Sequence, residues 1–195
     1  MANEKLLPEK RGLEQSTIEL RESEDGKRTL TGYALKWEMK SHPLGYMGEF
    51  REQFQRGAFT ETLQKDDQRA LWSHDTSKVL GRTGNGTLRL TEDEVGLRFE
   101  LDLPNTTLGN DTYETIKRGD VDGVSFGFVA RRQEWDETDD DYVIRTITDA
   151  ALLEISPTAW PAYPDSGVSA RGNDPYKQYV NDQEARQKLI LETYL

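Results

Sequence analysis

Ser125 lies in a short apolar stretch, GVSFGFVA, where a valine would pack better than a hydroxyl. Burying a hydroxyl costs free energy of folding unless the group finds a hydrogen-bond partner. If the stretch is a strand, Ser125 and Gly127 share one face, and Phe126 and Phe128 share the other. The glycine would leave room for another group to approach the hydroxyl. Ser125 is therefore either a small residue of a tight interior or a group kept for nucleophilic chemistry.

A serine hydroxyl becomes a good nucleophile when a neighbouring base, usually a neutral imidazole, takes its proton. The chain contains two histidines. His42 precedes Pro43 in a glycine-rich loop, whereas His74, in ALWSHDTSKVLGR, lies where a predicted strand ends and a turn begins. A rigid scaffold can aim a functional side chain from such a position. His74 is thus either the base or a solvent-exposed turn residue beside Asp75.

An imidazole base is usually oriented by a carboxylate, which also stabilises its charged form. Glu154 interrupts the apolar run ALLEIS. Strand alternation would place Leu152, Glu154 and Ser156 on one face, opposite Leu153 and Ile155. A carboxylate among such neighbours is costly unless it is paired. Glu154 is therefore either the orienting group or a strand-end residue that reaches solvent.

Two aspartates, Asp149 and Asp75, are alternative orienting groups, although both lie in more polar surroundings. The absence of cysteine excludes a disulfide framework, a thiolate metal site and a cysteine nucleophile. The two histidines lack HExxH-like spacing, and the acidic run DETDDD lacks the glycine and terminal glutamate of a calcium loop. GVSFG approaches the G-x-S-x-G elbow, but that motif joins a strand to a helix, and here the strand continues. We expect neither a metal nor a cofactor.

Short strands and two helices must position these residues. The Asp-Gly of ESEDGK, between two alternating segments, predicts a hairpin. Apolar spacing predicts helices over about 57–65 and about 108–118. Thr107 or Asn110 would cap the second helix, and Gly119 would end it.

The whole pattern predicts an α+β fold, with six to eight short strands in a closed or nearly closed antiparallel sheet. This would be a small β-barrel with helices outside. Residues 1–15 are predicted to be a flexible N-terminal arm and residues 16–170 the folded domain. Residues 171–195 would form a linker and an amphipathic helix from about residue 181.

Composition limits the possible partners. The 195 residues fit one domain and carry a net charge of -11. This acidity argues against a nucleic-acid surface, because phosphate binding requires basic clusters. No apolar stretch approaches the roughly 20 residues that a membrane-spanning helix needs, and MANEKLLPEKRG lacks the apolar region of a signal peptide. We expect a soluble intracellular protein without nucleic-acid or membrane partners.

Several stretches together resemble the prohead maturation proteases of tailed bacteriophages. They are GYALKW, FREQFQRGAFTETL, WSHDTSKVLGRT, GLRFELDLPNTTLGNDTYETIKRGDVDGVSFGF and LLEISPTAWPAYPDS. They occur in this order between about residues 16 and 170. Each stretch alone is a weak signal, but the combination is specific.

The resemblance implies a fold similar to the herpesvirus assemblins, which are small antiparallel barrels wrapped by helices and have serine-protease chemistry. It implies that His74, in SHD, is the catalytic histidine and that Ser125, in VSFGF, is the nucleophile. Assemblins use a second histidine downstream of the serine, and this chain has none after His74. An acidic residue must replace it, for which Glu154 is our choice, or the site is a dyad. Backbone amides near PAYPDSG are the expected oxyanion donors.

The function implied is a serine endopeptidase in the host cytoplasm, inside the assembling prohead. It would cleave the scaffolding segment of the major capsid protein precursor, or a scaffold protein, and also itself. Assemblin-like enzymes often work as homodimers. Two other functions stay open: a non-catalytic capsid-assembly or scaffold-binding module with the same barrel, and an unrelated esterase.

Overall fold

In the residues that the computed structural model describes (7–12, 17–24, 26–45, 49–139, 141–159 and 174–193), ten strands form two sheets, accompanied by three α-helices. The elements in chain order are β1 (Glu9–Gly12), β2 (Thr17–Glu22), β3 (Arg28–Lys36), β4 (Phe50–Phe54), α1 (Thr60–Lys65), β5 (Arg69–Trp72), β6 (Asp75–Arg82), β7 (Leu88–Glu92), β8 (Gly96–Asp102), α2 (Thr107–Lys117), β9 (Gly123–Asp136), β10 (Val143–Thr158) and α3 (Pro175–Thr193).

The first sheet is built around the long antiparallel pair of β9 and β10. Its order is β1-β9-β10-β5-β6, and β4 also pairs with β10. Both β4 and β5 run parallel to β10. The second sheet is antiparallel, in the order β2-β3-β8-β7. The predicted hairpin at ESEDGK joins β2 to β3 and is confirmed.

One hydrophobic core contains buried side chains from both sheets. Phe126 and Phe128 of β9 are fully buried, which confirms the alternation expected for that strand. Phe54 packs against both rings, with centroids 5.4 and 5.1 Å apart in edge-to-face geometry. Such aromatic pairs stabilise a core beyond the area that they bury. The strand that carries Ser125 is therefore firmly anchored.

Both predicted helices are present. The first begins at Thr60 rather than at about residue 57, because residues 56–59 form a turn. The second is capped by Thr106, whose hydroxyl accepts a hydrogen bond from the Gly109 N–H at 3.2 Å, rather than by Thr107 or Asn110. Gly119, with φ of 77°, follows its end as predicted.

The predicted α+β class is confirmed, but the closed antiparallel barrel is not. The strands separate into two sheets, and no pairing among the described residues closes them into one barrel. The first sheet is mixed rather than antiparallel, and the strands outnumber the six to eight expected. Parallel partners far apart along the chain leave no local signal, which explains the difference.

The two ends of the chain contribute ordered elements. Within the predicted flexible arm, residues 9–12 form β1 against β9. The C-terminal helix begins at Pro175 rather than at about residue 181, and its Tyr179 stacks on Trp135 of β9 with centroids 4.7 Å apart. None of the described helices is both long enough and apolar enough to cross a bilayer. The domain limits 16–170 stay a prediction.

Candidate active site

Ser125, His74 and Glu154 form one chain of hydrogen bonds. His74 Nε2 lies 2.8 Å from Ser125 Oγ, and His74 Nδ1 lies 2.6 Å from Glu154 Oε1. Each ring nitrogen therefore has its own partner, one a hydroxyl and the other a carboxylate. This is the geometric relationship of a serine-protease triad.

Three neighbouring parts of the first sheet supply these side chains. Ser125 is on β9, where its Cα partner across the ladder is Ser156 of β10. Glu154 is two residues earlier on β10. His74 belongs to the short connection between β5 and β6, and β5 also pairs with β10. Because strands hold side chains more precisely than loops do, Ser125 and Glu154 are held on a rigid part of the fold.

His74 sits in a tight turn with an unusual backbone. Trp72 pairs with Asp75, so Ser73 and His74 form a two-residue connection, with φ of 49° and 60°. Positive φ at both positions is typical of a type I′ turn, where Asn-Gly is the usual sequence. Left-handed backbone costs roughly 1–2 kcal/mol for each residue that is not glycine. Such strain often marks a functional site.

Backbone contacts with β10 hold this turn in place. The Ser73 N–H donates to the Pro157 carbonyl at 3.1 Å, and the His74 N–H donates to Ser156 Oγ at 3.1 Å. The turn is thus tied to the same strand that carries Glu154. The expected position of His74, at a strand end and the start of a turn, is confirmed.

A β-bulge directs Glu154 toward His74. Leu152 pairs with Phe128 and Glu154 pairs with Gly127, so Leu153 has no partner and is 40% exposed. Strict alternation placed Leu152 and Glu154 on the same face, and that prediction is wrong. The extra residue lets Leu152 enter the core while Glu154 faces the site. Bulges often re-aim a side chain in this way beside active sites.

Gly127 serves a different purpose from the one that the sequence suggested. An added Cβ at this position would stand 2.6 Å from Glu154 Oε1. The space beside Ser125 on β9 is therefore filled by the carboxylate and is not open to an approaching group. The glycine is needed because the carboxylate lies against the backbone of the neighbouring strand.

Ser156 is a site residue to which the sequence analysis assigned no role. Its Oγ donates to Glu154 Oε2 at 2.6 Å and accepts from the His74 N–H at 3.1 Å. The side chain is fully buried. One hydroxyl thus positions both the carboxylate and the turn that carries the imidazole. The available signal was the Glu-x-Ser spacing, which places both side chains on one face after the bulge.

The other candidates have different partners. Asp149 forms an ion pair with Arg132 at 3.4 Å. Asp75 accepts hydrogen bonds from the Ser77 hydroxyl and N–H, which lower the pKa of its carboxyl. His42 lies in the loop before β4 and contributes none of the bonds described above. The expected oxyanion donors near PAYPDSG lie outside the described residues.

No group of three or more metal-ligating side chains occurs in the described parts of the chain. Glu154 and His74 are engaged with each other and with Ser156 and Ser125. The arrangement can activate a hydroxyl and stabilise an imidazolium, which are the two requirements of acyl transfer through a serine.

The model of the caudovirus prohead serine protease family matches residues 16–179. The chain belongs to this family. It is therefore a serine peptidase of phage capsid maturation, and the resemblance noted in the sequence is confirmed. No curated protein sequence matches the chain.

A solved structure supports the same fold for this prohead protease. The capsid assembly protease gp21 of bacteriophage T4 aligns with a TM-score of 0.51 and 10% sequence identity. The alignment covers 78% of this chain and 99% of the T4 chain. At this identity the likeness concerns the fold alone.

Proposed function

We propose that this prohead protease uses Ser125 as nucleophile, His74 as general base and acid, and Glu154 as the orienting carboxylate. One observation carries the assignment: both nitrogens of one imidazole are hydrogen-bonded, at 2.8 Å to a hydroxyl and at 2.6 Å to a carboxylate. Ser125 and His74 are far apart in the sequence, so their meeting is a consequence of the fold.

In the acylation step, Ser125 Oγ forms a bond to the carbonyl carbon of the scissile peptide as its proton passes to His74 Nε2. The carbonyl π electrons move to oxygen and give a tetrahedral oxyanion. When this intermediate collapses, the C–N bond breaks and the leaving amine takes the proton from Nε2. Water then attacks the acyl ester with His74 again as base, which releases the acid and restores the Ser125 hydroxyl.

Glu154 supports both steps by accepting the Nδ1–H bond. This bond presents the lone pair of Nε2 to the hydroxyl and stabilises the imidazolium that forms during attack. The carboxylate is itself held by Ser156, at 2.6 Å from its second oxygen. With both oxygens engaged, Glu154 has little freedom to rotate away from the ring.

Family membership supports capsid proteins as the substrates. We assign to the enzyme the scaffolding segment of the major capsid protein precursor, a scaffold protein and its own chain, cleaved within the assembling prohead in the host cell. The homodimer stays a prediction. The net charge of -11 supports protein rather than nucleic acid as the partner.

Incubation of the purified protein with the capsid protein precursor tests the proposal. Ser125→Ala should abolish cleavage, and a serine-directed phosphonate should label the wild type at Ser125 alone. His42→Ala, which removes the histidine outside the hydrogen-bonded chain, should cleave normally. Persistent cleavage by Ser125→Ala would eliminate the nucleophile. Binding of the precursor by an unlabelled, inactive wild type would favour a non-catalytic assembly module, and turnover of small esters alone would favour an esterase.

A further inference from the structure

Strand β1 covers the nucleophile. It is the edge strand of the first sheet and pairs antiparallel with β9, with Gly12 opposite Ser125 and Arg11 opposite Phe126. The Arg11 carbonyl oxygen lies 2.7 Å from Ser125 Oγ. A peptide that pairs with a sheet edge in this way presents its carbonyls to the strand beside it. A segment of the protein's own chain thus lies where an extended peptide would have to reach Ser125.

The hydrogen bonds of Ser125 are those of an inactive form of the site. A hydroxyl has one proton to donate. Ser125 donates this proton to the Arg11 carbonyl, so the proton is not directed at His74 Nε2, which lies 2.8 Å away. In this arrangement the hydroxyl is not in position to pass its proton to the imidazole. While β1 is bound, the nucleophile is both covered and unactivated.

Charged side chains, rather than apolar ones, fasten β1 to the sheet. Glu9 receives hydrogen bonds from Arg145 at 2.7 and 2.9 Å. Arg11 donates to Glu52 at 2.7 Å and to Glu9 at 2.7 Å. Arg145 and Glu52 are each 2% exposed, and Glu9 is 4% exposed. Ion pairs so deeply buried have strict geometric requirements, because an unpaired charge there is very costly.

Two of these four charges lie on strands β10 and β4, and two lie on β1 itself. Arg145 is on β10 and Glu52 is on β4, and the two bind each other at 2.5 Å. Arg145 and Glu52 can therefore stay paired with each other when β1 leaves. Glu9 and Arg11 are two residues apart on β1, so they share a face, while Lys10 between them is exposed.

We propose that substrates bind along β9 in the groove that β1 now fills, and that β1 acts there as an intramolecular substrate mimic. Arg145 and Glu52 select extended peptides in which an acidic residue is followed two positions later by a basic one. This proposal rests on the proposed function, since it takes Ser125 as the reacting group. A substrate must displace β1 before it can bind. The apparent affinity for a substrate is therefore the intrinsic affinity multiplied by the fraction of molecules in which β1 has left the groove.

Peptide binding to the full-length chain tests this proposal. Every protein in the assay carries Ser125→Ala, so no peptide is cleaved. The probe is a fluorescently labelled LPEKRG peptide, the sequence of residues 7–12. Fluorescence anisotropy measures its binding to a chain with an intact β1 and to a chain that also carries Glu9→Gln and Arg11→Gln. Lys10→Gln is the matched control, because it removes a charge from the exposed side of the same strand.

We expect the Glu9→Gln/Arg11→Gln chain to bind LPEKRG about tenfold or more tightly than the chain with native β1, as release of an occluding segment requires. Lys10→Gln should bind like native β1. The peptide LPQKQG should bind the opened chain much more weakly than LPEKRG. If the double variant does not fold, Glu9→Gln alone, which leaves Arg11 on Glu52, provides the same comparison.

Two results would overturn the proposal. Equal binding of LPEKRG and LPQKQG would show that Arg145 and Glu52 do not select charge. No peptide binding, when hydrogen exchange shows that residues 9–12 have been released, would show that β1 covers no substrate groove. Because the assay does not need catalysis, charge-selective binding can hold even if Ser125 proves not to be the nucleophile, and cleavage can hold even if binding is not selective.

Discussion

Gly127 of β9 lies directly opposite Glu154 of β10, so close that a single added methyl group would stand 2.6 Å from the carboxylate oxygen that binds His74. The first prediction follows from this contact. Gly127→Ala should displace the carboxylate and lower kcat by about 10²-fold or more, because a small misplacement of a catalytic group can cost that much. Steady-state kinetics on a capsid-precursor peptide would measure it. An alanine variant with normal kcat and unchanged circular dichroism would contradict the assigned role of this glycine.

Neutralising the orienting carboxylate should have a larger effect. Glu154→Gln should lower kcat by roughly 10⁴-fold, the loss seen when the corresponding carboxylate of a serine-protease triad is made neutral. Asp149→Asn is the matched control, since Asp149 is paired with Arg132 and not with His74. Its kcat should match the wild type. Equal loss in both variants would point to a general effect of acidic residues on β10.

Ser156 is a positioning residue, and its removal should leave a characteristic kinetic signature. Ser156→Ala removes a hydrogen bond to a charged group, a contribution of about 1.5–3 kcal/mol. It should lower kcat by about 10- to 100-fold and leave KM unchanged. Ser156→Thr, which keeps the hydroxyl, should restore most of the activity. A rise in KM with normal kcat would show instead that Ser156 acts on substrate binding.

Acid should release β1 through Glu9. Burial by itself would raise the pKa of the Glu9 carboxyl, but the hydrogen bond from Arg145 and the charges of Arg11 and Arg145 outweigh it and hold the pKa below its ordinary value of 4.5. Glu52 is the other charged group of this cluster. A lowered pKa means that the stabilisation is present in full above pH 4.5 and is lost as pH falls through the value in the folded state.

Hydrogen exchange of residues 9–12, measured at neutral pH and again below pH 4.5, would check this expectation. Protection should fall in acid for the wild type. Glu9→Gln has no carboxyl to protonate, so its protection should be low at both pH values. Identical protection of the wild type at both would mean that Glu9 does not govern the docking of β1.

Two of the three proposed site residues could be singled out because they contradict their local sequence. Ser125 and Glu154 are polar groups in apolar runs, and both find the partners that their burial requires. Deviations of this kind are expected where function overrides packing. The bulge at Leu153 could not be predicted, because it depends on the pairing register with β9 and not on the sequence of β10 alone.

The role of β1 was also hidden from the sequence. The segment EKRG is polar, which is typical of a mobile terminus. It is ordered because its charges meet Glu52 and Arg145, which are remote along the chain, and no local pattern reveals such a meeting. The parallel pairing of β4 and β5 with β10 was missed for the same reason.

The placement of β10 also governs when the enzyme can first become active during its synthesis. This strand contributes Glu154 directly, anchors the His74 turn through Ser156 and Pro157, and lies beside the strand of Ser125. A nascent chain that has not yet emerged from the ribosome as far as residue 158 cannot assemble the three groups. Translation thus delivers β1, the strand proposed to cover Ser125, before it delivers β10, the strand that completes the proposed site.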